Sequence, residues 1–148
     1  MTSDASFNAP AAPRPVGPYP HARRAGNLLF LSGIGPRSPD DDSIPGTILD
    51  EAGKVIGYDF EAQCHAVFDN VRRVLTAAGA TLEDLVDVTV FLTDISSDFA
   101  IMNRIYAQYL TRILRVVQPS KFDGCPHPSR SNSNASRRYI HEPSRLGP

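Results

Sequence analysis

Between residues 60 and 78 the apolar side chains Phe60, Cys64, Val67, Phe68, Val71, Val74, Leu75 and Ala78 recur at helical spacing and fall on one face. A helix striped on one side must lay that stripe against another layer, so the chain cannot be a lone helix or an all-β domain. Asp59 reads as the cap of this helix and Gly79 as its stop. The neighbouring segments supply the layer. Residues 85–93 are rich in Val and Thr and end at Asp94, which predicts a buried strand, with Val86, Val88 and Val90 alternating with Asp87, Thr89 and Phe91. Residues 97–109 carry Phe99, Met102, Ile105, Tyr106 and Tyr109 on one side and predict a second helix.

Upstream, residues 28–32 form the first strong strand, and 34–45 are a loop rich in Pro, Asp and Ser. Residues 47–50 and 54–56 flank Glu51, Ala52 and Gly53 as a hairpin does. Residues 14–26 are punctuated by Pro15, Gly17, Pro18, Pro20 and Gly26, which suits an extended edge segment. The small, polar residues 1–13 are expected to fray as a disordered N-terminal tail. The order of strand, hairpin, helix, strand, helix gives an α+β fold. It also requires at least one more strand after the second helix, which otherwise has no sheet to cover.

With 148 residues the chain suits one domain. Its two cysteines, Cys64 and Cys125, make no disulfide framework, and no apolar run is long enough for a signal peptide or a membrane span. A cytoplasmic protein that engages neither membrane nor nucleic acid is expected. No His, Cys and Asp grouping has metal-ligand spacing, so no metal is expected, and His65, on the polar side of its helix, is expected to be solvated.

Near Leu110 the character changes. Residues 1–110 carry 8 Lys and Arg against 14 Asp and Glu, whereas residues 111–148 carry 7 against 2. The later stretch includes CPHPSRSNSNASRR, without any apolar period, and offers no strand candidate beyond 113–117. One reading is a disordered basic extension.

The run GPYPHARRAGNLLFLSG from Gly17 to Gly33, the stretch DNVRRVLTAAGATLEDLVDVTVFLTD and the helix NRIYAQYL resemble the RidA (YjgF) family of enamine and imine deaminases across residues 14–110. The resemblance implies a chorismate-mutase-like single α+β domain, a mixed sheet covered by two helices, assembled as a homotrimer with sites between subunits and working without a cofactor. His21, Arg23, Arg24 and the loop from Gly35 to Gly46 look most like the 2-aminomuconate deaminase branch. Positions matching the family pocket are Tyr19, Ser32, Gly33 and, allowing one inserted residue in DISSDF, Ser97. Tyr19 would hydrogen-bond substrate, and the Ser32 hydroxyl with the Gly33 amide would face the cleft. Without the resemblance, Tyr19 reads as packing and Ser32 as a strand terminator. Arg37, with Arg23 and Arg24, is a candidate second cationic anchor for a dicarboxylate, against the plainer reading of solvated charge. His21 is a candidate substrate contact or a structural histidine of its turn.

The family's catalytic groups are an arginine on a strand after the second helix and a glutamate on the last strand. Neither stands in place in residues 111–148 as written, so the catalytic residues are unknown from this chain. Re-reading each codon one nucleotide earlier from Val116 permits RTTIEVRRLPTPIAIELKCVAT, which has strand alternation and the family ending. A single deleted nucleotide after Leu110 would explain the change, making 111–148 a frameshifted segment. The expected function is a deaminase of 2-aminomuconate or, more generally, of 2-imino acids. The alternative is a non-catalytic module that binds small molecules or proteins.

Overall fold

The computed structural model describes residues 4–110, 116–121 and 140–145. Its elements are strands β1 (Ala5–Phe7), β2 (Ala22–Ala25), β3 (Leu28–Leu31), β4 (Thr47–Leu49) and β5 (Val55–Tyr58), then helix α1 (Phe60–Ala77). Strand β6 (Asp87–Leu92), helix α2 (Ile95–Leu110) and strands β7 (Val116–Lys121) and β8 (Ile140–Arg145) follow. The fold is the α+β arrangement expected, with a six-stranded mixed sheet in the order β1-β2-β3-β8-β6-β7 and β4-β5 as a separate hairpin.

Helix α1 forms where its stripe demands. The Asp59 carboxylate accepts the Ala62 amide at 3.1 Å, taking up one of the free amides of the first turn. Phe60, Cys64, Val67, Phe68, Val71, Val74 and Leu75 are all buried. They share the core with Leu29 and Leu31 of β3, Val88, Val90 and Leu92 of β6, and Met102 and Ile105 of α2. On β6 these buried residues alternate with half-buried Asp87, Thr89 and Phe91, as a strand with one face under helices should. Strand β6 starts at Asp87, two residues later than the sequence pattern suggests, because Leu82–Asp84 closes a short helical turn capped by Thr81.

The two helices are joined by more than apolar contact. The Phe68 and Tyr109 rings stack at 4.4 Å, and Arg104 forks onto Glu61 at 2.7 and 3.2 Å. His65, expected to be solvated, instead bonds through Nδ1 to the Tyr109 hydroxyl at 2.7 Å, since the polar flank of α1 abuts α2. Burial, and then the nearby Asp69 carboxylate, push the Tyr109 phenol above its ordinary range.

Two expectations need correction. Residues 5–7, within the stretch expected to fray, pair with β2 from Ala5↔Arg24 to Phe7↔Ala22, and Ala9 and Ala12 are buried. Small residues there serve close packing rather than disorder. After α2, where only 113–117 looked strand-like, β7 pairs in parallel with β6 from Asp87↔Val116 to Leu92↔Lys121. Strand β8 pairs antiparallel with β3 over four positions and with β6 over two. Ladder bonds use backbone groups and need no apolar alternation, so open edges on β3 and β6 accept segments that the side-chain pattern does not mark. Pro119 is tolerated because β7 is an edge strand. The run CPHPSRSNSNASRR lies outside the described residues.

Candidate functional site

Between β1 and β2 the chain runs as an arm with proline at positions 13, 15, 18 and 20. Proline has no N–H, so such an arm has few amides for its own carbonyls, and further donors must come from elsewhere. Three side chains supply them. Arg37 Nη2 donates to the Arg14 carbonyl at 2.5 Å, His21 Nε2 to that of Pro13 at 2.9 Å and Ser32 Oγ to that of Pro20 at 2.6 Å.

Each donor is itself placed by a distinct element. Ser32 follows the last residue of β3, and its amide donates to the His21 carbonyl at 2.9 Å, extending the β2–β3 pairing by one bond. His21 stands just before β2, and its Nδ1 accepts the Ala9 amide at 3.1 Å. That acceptor role at Nδ1 selects the tautomer with hydrogen on Nε2, which the Pro13 contact uses. Arg37 also bonds Asp42 in its own loop, and its side chain is 28% exposed.

The loop carrying Arg37 is in turn fixed from α1. Asn70, 1% exposed, donates both amide hydrogens, to the Gly35 carbonyl at 2.9 Å and the Arg37 carbonyl at 2.8 Å. Its Oδ1 accepts from Arg73 at 2.7 Å. Asn70 went unmarked in the sequence because a helix pattern registers a polar residue among apolar ones only as a gap.

The result is a patch in which Tyr19, 40% exposed, stands near the β2 end of a held arm, with Ser32 bonded to the next residue, Pro20, and exposed Gly33 following Ser32. The Tyr19 ring lies over Gly17, where a Cβ would stand 2.7 Å from the ring, so a side chain two residues before Tyr19 would push the ring from this position. A phenol, a hydroxyl with free lone pairs and an exposed backbone amide can orient a polar, planar molecule. Of the residues singled out in the sequence, His21, Ser32 and Arg37 each bond the arm that carries Tyr19, and Gly33 follows Ser32 in the chain. Ser97 is exposed in the first turn of α2, its amide held by Asp94 at 3.2 Å, and no hydrogen bond among the described residues joins it to the arm. Arg23 pairs with Asp4 at 3.5 Å on the surface. Arg24 donates to the Ala78 carbonyl at 3.1 Å and lies over the Phe7 ring at 5.3 Å, so it fastens β2 to the end of α1. Among the described residues no three His, Cys, Asp or Glu side chains are grouped to hold a metal ion, and no helix is long and apolar enough to cross a membrane.

Comparison with known proteins places these features in a wider set. The sequence pattern of the family described as Endoribonuclease L-PSP matches residues 9–122. A RutC family protein of Pyrococcus horikoshii is 40% identical over 98 residues, covering 66% of this chain and 68% of that protein. The chloroplastic Reactive Intermediate Deaminase A of Arabidopsis thaliana is 37% identical over 98 residues, 66% of this chain and 46% of its own length. Among solved structures, Escherichia coli TdcF with bound serine superposes with a TM-score of 0.77 at 23% identity, covering 97% of this chain and 99% of that one. RidA from an Antarctic Psychrobacter gives a TM-score of 0.76 at 25% identity, covering 96% and 99%.

Proposed function

Since the chain belongs to the Endoribonuclease L-PSP (RidA/YjgF) family, whose members include a named reactive intermediate deaminase, we propose that it is a cofactor-free deaminase of enamine or imine carboxylates, with 2-aminomuconate as substrate. Water adds to the C=N carbon, the C–N bond breaks, and ammonia leaves with a carbonyl in its place. The observation that carries this reading is the Tyr19, Ser32 and Gly33 patch at the end of β3, held so that a planar polar substrate meets a fixed hydroxyl, phenol and amide. The phenol and the Gly33 amide are preorganised donors for charge that develops on the reacting group, and the Ser32 oxygen, its hydrogen held by Pro20, can accept from the substrate. Ser97 would join the site from a neighbouring subunit of a homotrimer.

An imine carboxylate also needs a cation, and a guanidinium binds carboxylate through two parallel bonds. The re-read string RTTIEV begins at the junction of Val116 and Val117 and falls on β7, Val116–Lys121. Asp87 stands in register with Val116, and its Oδ1 is buried without a partner among the described residues. A buried carboxylate oxygen beside that position suits an arginine there. We therefore assign the activity to the chain read one nucleotide earlier after residue 110. The charge of residues 1–110, with 8 basic against 14 acidic side chains, disfavours RNA as substrate despite the family's description.

A second reading rests on the chain as written, which has no arginine on β7, Val116–Lys121: a module that binds small metabolites without turning them over. Both chains should be purified, checked by intact mass and assayed for ammonia released from 2-aminomuconate and from a dehydroalanine-type imine. Release from 2-aminomuconate by the re-read chain supports the proposal, and release from the second substrate alone moves the assignment to general 2-imino acids. Release from neither leaves the binding module.

A further inference from the structure

Arg37 and His21 were candidates for touching substrate, yet the donors described above are turned toward the protein's own backbone. The Arg37 guanidinium is engaged by the Arg14 carbonyl and by Asp42, and both His21 ring nitrogens are engaged by Pro13 and Ala9. Ser32 gives its hydroxyl hydrogen to Pro20. We propose that Arg37, His21 and Ser32 are positioning residues that grip the proline-rich arm by three of its carbonyls and thereby fix the orientation of Tyr19.

The physical need is specific to this arm. Tyr19 lies between Pro18 and Pro20, so its amide, which bonds the Gly17 carbonyl at 2.9 Å, is the only N–H from Pro18 to Pro20. No ladder can hold such a segment, and proline limits φ without fixing where the arm lies on the body. Three grips from separate places do that. Ser32 comes from the end of β3, His21 from the start of β2, and Arg37 from a loop that Asn70 anchors to α1. A cation anchored on Asp42 makes a stronger donor to a carbonyl than a neutral group would, which suits the grip that comes from a loop and not from the end of a strand. The grip on Arg14 also gives Arg37 a role that requires no second carboxylate in the substrate.

The inference rests on the deaminase reading only for what Tyr19 does, and the first measurement is independent of activity. Hydrogen exchange of the Ala12 and Tyr19 amides, which bond the Ala9 and Gly17 carbonyls, is to be followed by NMR in the unaltered chain and in Arg37→Ala, with amides of α1 as the internal reference. Loss of the grip is expected to speed arm exchange by on the order of tenfold while α1 is unchanged. Added guanidinium ion should slow it again. Asp42→Asn, which keeps the bond to Arg14, is expected to change arm exchange far less than Arg37→Ala, and equal effects would overturn the grip on Arg14 as the cause. If ammonia release is found, Arg37→Ala should lower turnover of mono- and dicarboxylate substrates by the same factor, mainly through kcat. Unchanged arm exchange, or a rise in KM confined to the dicarboxylate, would instead make Arg37 a substrate anchor and sink the proposal. A re-read chain without deaminase activity that still shows the exchange pattern would refute the functional reading and leave the grip standing.

Discussion

Asn70 shows how much of the site depends on one buried side chain that reaches the arm only through the loop carrying Arg37. Replacing it with Ala leaves the Gly35 and Arg37 carbonyls without their donor, which should cost about 1–3 kcal/mol of stability. Asn70→Asp should be worse than Asn70→Ala, because it sets an acceptor against two carbonyls while keeping the Arg73 contact. Thermal melts of both variants check the order, and an Asp variant as stable as the parent would show that the loop is held by something else. The sequence made Tyr19, Ser32 and Gly33 legible only through the family resemblance, since the local pattern by itself reads Tyr19 as packing and Ser32 as a strand terminator. It could not make Asn70 legible, since its partners lie 35 and 33 positions away and a long-range hydrogen bond leaves no local trace. The same limit applies to Arg37, whose charge is obvious but whose direction depends on where the arm passes.

At the level of elements, the helices and the hairpin were readable from period and punctuation, because those patterns are set by neighbours three or four residues apart or by a turn. Strands β1, β7 and β8 were not, because a three-residue strand has no period and a strand of irregular side chains is defined only by the edge it meets. The junction of hairpin and helix is a case where the turn itself is informative. Gly46 has φ +73°, its carbonyl accepts the Asp59 amide at 2.6 Å, and a Cβ would stand 2.7 Å from the Asp59 carbonyl oxygen. The start of β4 is thereby pressed against the cap of α1. Gly46→Ala should destabilise by about 1–3 kcal/mol from its backbone conformation alone, with the contact adding to that. Chemical denaturation is the measurement, and a midpoint equal to the parent's would show that the hairpin docks without this contact.

For the whole molecule, assembly and completeness of the sheet are linked. Phe30 and Val86 are 36% and 37% exposed, and Ile48, Leu49 and Ile56 on the hairpin are 50%, 54% and 63% exposed, so a single subunit leaves apolar surface that the proposed trimer would cover. Deleting residues 111–148 removes β7 and β8, and with them the pairing along one edge of β3 and both edges of β6. Light scattering on the eluting protein should give three chains per particle for the full-length protein. The shortened chain should give no defined trimer and no cooperative melt, since a domain of this size holds only about 5–15 kcal/mol in total. A shortened chain that stays trimeric and melts sharply would contradict this.

Strand order and synthesis order also disagree in a way that matters for a growing chain. Strand β8 is the last of the described strands to leave the ribosome, yet it occupies the middle of the sheet between β3 and β6. Until it arrives, the nascent protein presents two unzipped half-sheets with bare hydrogen-bonding edges. Such edges are what chaperones shield and what neighbouring nascent chains can pair with by mistake.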